Sequence, residues 1–136
     1  MIYFDTDVLI HLLISQDQQK HEKAKSKFKS AAEQEHFFLS FLCLQETAFV
    51  LSKLGQKVDD IVNALSTFLA FEPVSYQASE MTRAIELAKV VGFQNINDCI
   101  HLAIVENYCS TIYTFNKADF GKLSRLTDLE VTILKV

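Results

Sequence analysis

Residues 2–10, Ile2-Tyr3-Phe4-Asp5-Thr6-Asp7-Val8-Leu9-Ile10, hold the key to the fold. Ile2-Tyr3-Phe4 is a short, β-prone apolar run that stops at an acid, which reads as a buried strand. Asp5 or Thr6 can then cap a helix carrying Val8, Leu9, Leu12 and Leu13. A strand that feeds straight into a capped helix is the opening of a βαβ unit.

The same alternation continues outward. A helix is expected near Lys20–Glu33, with Ala24, Phe28, Ala31 and Ala32 inside, and a strand over His36–Leu39. Ser40 is placed to cap a helix over Phe41–Leu54 that stops before Gly55. Asp59 and Asp60 open another, with Ile61, Val62, Leu65, Phe68 and Leu69 at helical spacing. Phe71–Tyr76 reads as a strand that Pro73 makes an edge or irregular one. A helix over Ala78–Val91 ends at Gly92, and Asn95 or Asn97 caps the next, which runs to Tyr108. Strands are expected at Thr111–Thr114 and Leu129–Leu134. Strands alternating with helices imply crossovers and a mostly parallel α/β sheet. No repeat, linker or shift of composition divides residues 1–136, which read as one domain.

Composition agrees. The chain has 136 residues, 49% of them hydrophobic and 22% charged, so apolar material for a core is ample and disorder is excluded. Three glycines and one proline favour long helices over a loop-rich or all-β chain. Cys43, Cys99 and Cys109 form no C-x-x-C and cannot all pair, so they read as buried, reduced thiols in a cytoplasmic protein. The amino-terminal stretch is acidic where a signal peptide would be basic, and Gln45 and Glu46 interrupt the only strongly apolar stretch, so no membrane segment is expected. A net charge of −4 argues against tight, non-specific nucleic-acid binding through a basic field. A nuclease remains compatible with it, because a bound divalent cation would itself supply positive charge where a phosphate must sit.

Asp5 stands at the end of a strand and Asp98 at the opening of a helix. Glu46 lies inside an apolar helix, and Thr114, Asn116 and Asp119 follow the penultimate strand. Parallel sheets place their sites at such strand-to-helix junctions. Each residue has an ordinary explanation alone, as a cap, a first-turn acid or a solvated position. Converging carboxylates raise one another's pKa, and Asp5, Glu46 and Asp98 are all expected above their ordinary values without a cation. Mg²⁺ or Mn²⁺ would resolve that repulsion and allow hydrolysis of a phosphodiester without a Ser, Cys or His nucleophile.

The order of these residues resembles the PIN-domain family, and within it the VapC-type toxins. The resemblance covers essentially the whole chain. Asp5-Thr6-Asp7-Val8-Leu9-Ile10 is similar to the family's opening D-T-[ND]-V-L-I, and Leu44-Gln45-Glu46 to its L-x-E. Asp98-Cys99-Ile100-His101-Leu102-Ala103 is similar to D-x-x-H/I-L-A, and Thr114-Phe115-Asn116-Lys117-Ala118-Asp119-Phe120 to T-x-[DN]-x-x-D-F. The resemblance implies a three-layer α/β/α domain that binds Mg²⁺ or Mn²⁺ and cleaves RNA. It maps Asp5, Glu46 and Asp98 onto metal-binding acids and Thr114 onto a supporting hydroxyl. Many members carry Asp where this chain has Asn116; an amide oxygen can bind a metal or a water but adds no charge, so the resemblance implies either that Asp119 supplies the charge to the metal site or that a second metal binds weakly. The toxins are usually homodimers held inactive by an antitoxin, and the helices Phe41–Leu54 and Asp59–Leu69 are apolar enough for both core and interface.

Asp7 is a candidate to orient the site acids from behind. His101, one turn after Asp98, reads as a packed or hydrogen-bonded residue, since no other His or Cys has zinc spacing to it. Lys117, Lys122 and Arg125 are ranked above the lysine-rich run Lys20–Lys29 as RNA phosphate contacts. Two other functions fit parts of the pattern. Asp5-Thr6-Asp7 also resembles the opening of haloacid-dehalogenase-type phosphatases, but only 22 residues follow Thr114, and Glu46 and Asp98 are then unexplained. A PIN fold without catalysis, serving as an RNA or protein adaptor, is the other.

Overall fold

The computed structural model describes residues 1–136. Strand β1 (Ile2–Phe4) leads into helix α1 (Thr6–Leu13), then α2 (Gln18–Glu33) and β2 (Phe37–Phe38). Four helices follow: α3 (Phe41–Lys53), α4 (Val58–Leu69), α5 (Ala78–Val91) and α6 (Ile96–Tyr108). The chain closes with β3 (Thr111–Thr114), α7 (Lys117–Leu123) and β4 (Glu130–Ile133). The four strands form one parallel sheet in the order β2-β1-β3-β4. Helix α1 packs on α2 and α3, and α3 on α4, while α5, α6 and α7 pack on one another. Two helical groups and a sheet give the α/β/α layering.

Parallel pairing requires each strand to be followed by a crossover. Helices α1 and α2 carry the chain from β1 to one side, and α3–α6 carry it back past β1 to β3. The strand order therefore reverses between β1 and β3, which is where parallel sheets open a crevice at their carboxyl ends. The register pairs Phe4 with Tyr113. One residue further on, Asp5 N–H donates to the Tyr113 carbonyl (3.0 Å), so Asp5 and Thr114 must stand side by side.

Burial holds this junction rigid. Tyr3, Phe4, Leu9, Ile104 and Ile112 are fully buried. Phe4 packs edge-on against Phe28 and Phe37, with the Phe4 and Phe37 centroids 4.9 Å apart. Phe37 continues that aromatic cluster to Phe68 and Phe71. The apolar spacing expected of α2 and α4 is thus spent on one core.

One expectation is corrected. Phe71–Tyr76 forms no strand, only an isolated bridge between Val74 and Ser40, because Pro73 has no N–H to extend a ladder. After β3, where only candidate site residues and no element were expected, the chain forms a helix. Asn116 Oδ1 accepts from Asp119 N–H (3.1 Å) and caps α7, which buries Phe120 and Leu123 and supplies the crossover to β4. No helix is long and apolar enough to cross a membrane.

Candidate active site

Each acid is set in place by its own element. Asp5 caps α1, its Oδ1 accepting from Thr6 N–H (2.8 Å), while Oδ2 accepts from the Thr114 hydroxyl (2.8 Å). Asp7, in the first turn, accepts from Phe115 N–H (3.1 Å). The Thr114 hydroxyl oxygen in turn accepts from Asn116 N–H (3.0 Å), so one buried threonine ties the end of β3 to the start of α1.

Glu46 projects from the middle of α3. Its Oε1 accepts from the Thr6 hydroxyl (2.7 Å) and from His101 Nε2 (2.5 Å), and Oε2 accepts from Asn97 Nδ2 (3.3 Å). Behind His101, Nδ1 lies 2.5 Å from the Tyr3 hydroxyl, which lies 2.7 Å from Ser40 Oγ. Ser40 Oγ also accepts from Cys43 N–H as the cap of α3. The chain Ser40–Tyr3–His101–Glu46–Thr6 therefore runs from the cap of α3 to the first residue of α1.

Asp5, Asp7, Glu46 and Asp98 line one cleft of about 410 Å³, with Thr6, Asn97 and Asn116. The rest of the lining is Ile10, His11, Phe49 and Val50. Asp119 is not part of this lining, because its carboxylate is bound by Asn116 Nδ2. Both polar ends of Asn116 are thus committed to Asp119. Lys117, Lys122 and Arg125 are exposed and do not line the cleft; Arg125 lines a separate recess with Arg83 and Glu106. Two other cations touch rings next to the lining: Lys53 lies over Phe49, and Lys20 over the Phe115 ring that His11 meets edge-on.

The electrostatics divide the acids. Burial raises Asp5, although Thr114, Thr6 and the charge of His101 oppose it. Asp7 is pushed up to about 7 by burial and by Asp5. Asp98 is pushed up to about 7 by burial and then by the charges of Asp119 and Asp5. Glu46 departs from expectation: burial would raise it, but the hydrogen bonds from His101, Thr6 and Asn97 and the charge of His101 take it below its ordinary value. His101 moves the matching way, since Glu46, Asp5 and Asp98 outweigh the burial that would lower it. Both shifts favour the charged forms of this pair, which relieves one of the three acids.

No three His, Cys, Asp or Glu side chains already stand at metal-ligand spacing. The carboxylates are hard oxygen donors on an open cleft, and burial, with the neighbouring acids, pushes Asp7 and Asp98 up to about 7. That set suits an ion that binds through one or two carboxylates and keeps its waters, as Mg²⁺ does, rather than one needing a complete protein cage.

Sequence reasoning missed Thr6, Asn97, His11 and Phe49 as cleft residues. Asn97 adjoins Asp98, and Phe49 lies one helical turn beyond Glu46, so spacing alone carried the signal. The contribution of Tyr3 and Ser40 left none.

The PIN domain family model matches residues 2–126, and the chain belongs to the PIN domain family. This fold is generally that of a metal-dependent nuclease. No curated protein matches the chain. Nothing supports the phosphatase reading, which also leaves Glu46 and Asp98 without a role in a cleft they share with Asp5.

Proposed function

We propose that the chain is a Mg²⁺- or Mn²⁺-dependent endoribonuclease, the toxin of a toxin–antitoxin pair. The observation that carries this reading is that Asp5, Glu46 and Asp98, from three separate elements, line the same cleft. Asp5 and Asp98 offer oxygens whose charge is costly unless a cation is present. His101 holds Glu46 ionised and oriented. Thr114 fixes Asp5, and Asp7 braces the same hydroxyl and the Phe115 amide. Asn116 and Asp119 form the fourth corner, where the amide meets the cleft and the carboxylate adds charge from behind. A bound divalent ion would polarise the phosphodiester and lower the pKa of an attacking water.

The motifs shared with VapC-type toxins support the toxin role and, with it, an inhibiting antitoxin. Exposed Leu54, Val58, Val62 and Leu69 at the α3–α4 end support a homodimer. Three free thiols support a reducing, cytoplasmic setting. Lys117, Lys122 and Arg125, outside the cleft, are left as contacts for outlying phosphates of the RNA. The second reading, a PIN-fold binding module without catalysis, draws on Asn116 and on the lack of a preformed three-ligand cage.

The test is cleavage of a generic RNA by the wild-type protein in Mg²⁺ or Mn²⁺, with EDTA and Glu46→Gln as controls. Metal-dependent cleavage lost in both controls is expected. RNA that is bound but left intact at every metal concentration favours the binding module.

A further inference from the structure

Beside its acids the cleft carries apolar lining that hydrolysis does not use. Glu46, Phe49, Val50 and Lys53 fall at i, i+3, i+4 and i+7 of α3, on one helix face. Glu46, Phe49 and Val50 line the cleft, with Ile10 of α1 on the same lining. Phe49 is 63% exposed. Lys53 Nζ stands 5.1 Å from its ring centroid. A single exposed Phe is ordinary on a protein surface. This one is ordered by its helix between the acids at one end and a cation at the other, over about 10 Å of helix axis.

We propose that this face is a subsite for single-stranded RNA, in which the nucleobase next to the scissile phosphate stacks on Phe49 and Lys53 takes a flanking phosphate. The proposal rests on the nuclease reading. An anionic strand entering a cleft of four carboxylates needs positive charge and apolar contact beyond them, and α3 supplies both in that order. Aromatic–base stacking beside a cation is the general means of holding unpaired nucleic acid without regard to sequence. A base can reach Phe49 only when it is free of its own stack, so the subsite selects single strands over duplex. His11 lines the same cleft, with its Nδ1 buried and without a partner within the protein.

The chain contains no tryptophan, so Phe49→Trp makes a sole tryptophan at the subsite, excited to the red of the four tyrosines. In an Asp98→Asn background that slows cleavage, titration in Mg²⁺ with an unstructured RNA hexanucleotide should quench it saturably, and the same sequence as duplex should not. In the otherwise wild-type enzyme, Phe49→Ala should raise KM for a single-stranded substrate about ten- to a hundredfold, the usual value of one base stack. Its kcat should stay within about threefold, and Phe49→Tyr should behave as wild type. Lys53→Ala should lower the slope of log K against log salt by about one. Equal KM for wild type and Phe49→Ala, with cleavage intact, overturns the subsite and leaves the nuclease reading standing. A wild type that cleaves nothing, with the quench still present, overturns the nuclease reading and leaves the subsite standing as an RNA-binding face. Quenching that grows with protein concentration alone assigns Phe49 to an interface between copies and overturns the proposal.

Discussion

Nε2 of His101 lies 2.5 Å from Oε1 of Glu46, and the imidazole that makes this contact is 1% exposed. Glu46 is 26% exposed, so the pair joins a sealed interior to an open cleft. Two donors, His101 and Thr6, converge on the one oxygen Oε1, which leaves Oε2 as the atom nearer to free use. A group placed in this way sets the angle at which Glu46 meets anything bound beside it.

Removing the donor should therefore weaken metal binding without emptying the cleft. His101→Leu is expected to lower Mn²⁺ affinity about ten- to a hundredfold, the usual effect of losing a group that orients a ligand. It should also destabilise the protein by about 0.5–1.5 kcal/mol, since the buried Tyr3 hydroxyl loses one partner and keeps Ser40. His101→Gln, whose amide can still donate towards Glu46, should recover part of the affinity. Mn²⁺ titration by electron paramagnetic resonance, with thermal melts alongside, checks this. If Leu and Gln bind Mn²⁺ as wild type does, the contact only packs.

Neutralising an acid should abolish turnover. Asp5→Asn and Glu46→Gln are each expected to slow RNA cleavage at least about a hundredfold, because each removes charge that would hold the catalytic cation. The rates in limiting Mg²⁺ decide it, and a normal rate for Glu46→Gln would place the metal elsewhere.

Asp98 should make the metal-free protein sensitive to pH. Its ordinary value is 3.8, and burial together with Asp119 and Asp5 pushes it up to about 7. Below the ordinary value both the native and unfolded states hold the proton, and Asp98 costs nothing. As pH rises from there, the native state keeps a proton that the unfolded chain has released, so stability falls until about pH 7 and then levels. In EDTA near pH 7.5, Asp98→Asn should melt above wild type, and the difference should close near pH 4. Added Mn²⁺ should raise the wild type and not the variant. If Asp98 served only as a first-turn acid of α6, the variant would instead melt lower, by a few tenths to about 1 kcal/mol.

Asn116→Asp tests the fourth corner. Aspartate caps a helix about as well as asparagine, so the bond to the Asp119 amide should survive. The change falls on Nδ2, which now binds the Asp119 carboxylate and would be replaced by a like charge. The variant should melt below wild type in EDTA and gain more than wild type from Mn²⁺. An equal gain in both proteins would remove position 116 from the metal's surroundings.

Much of this molecule is determined locally and was legible in the sequence. Short-range rules set β1 and the cap of α1, the span Ala78–Val91 of α5, and the apolar faces of α2 and α4, because pattern and capping act over a few residues. The order of the acids likewise marked Asp5, Glu46 and Asp98 before any contact was known. The tertiary structure decided what the register and the core impose. Asp5 meets Thr114 because β1 pairs in parallel with β3, across more than a hundred residues of chain. Glu46 lies below its ordinary value, against the burial that would raise it, in large part because a histidine 55 residues away is held against it by Tyr3 and Ser40. Asn116 faces Asp119 because parallel strands need a crossover, and α7 had to begin there. Burial and charge at those positions depend on which side chains the fold brings within a few ångströms, and spacing along the chain does not encode that.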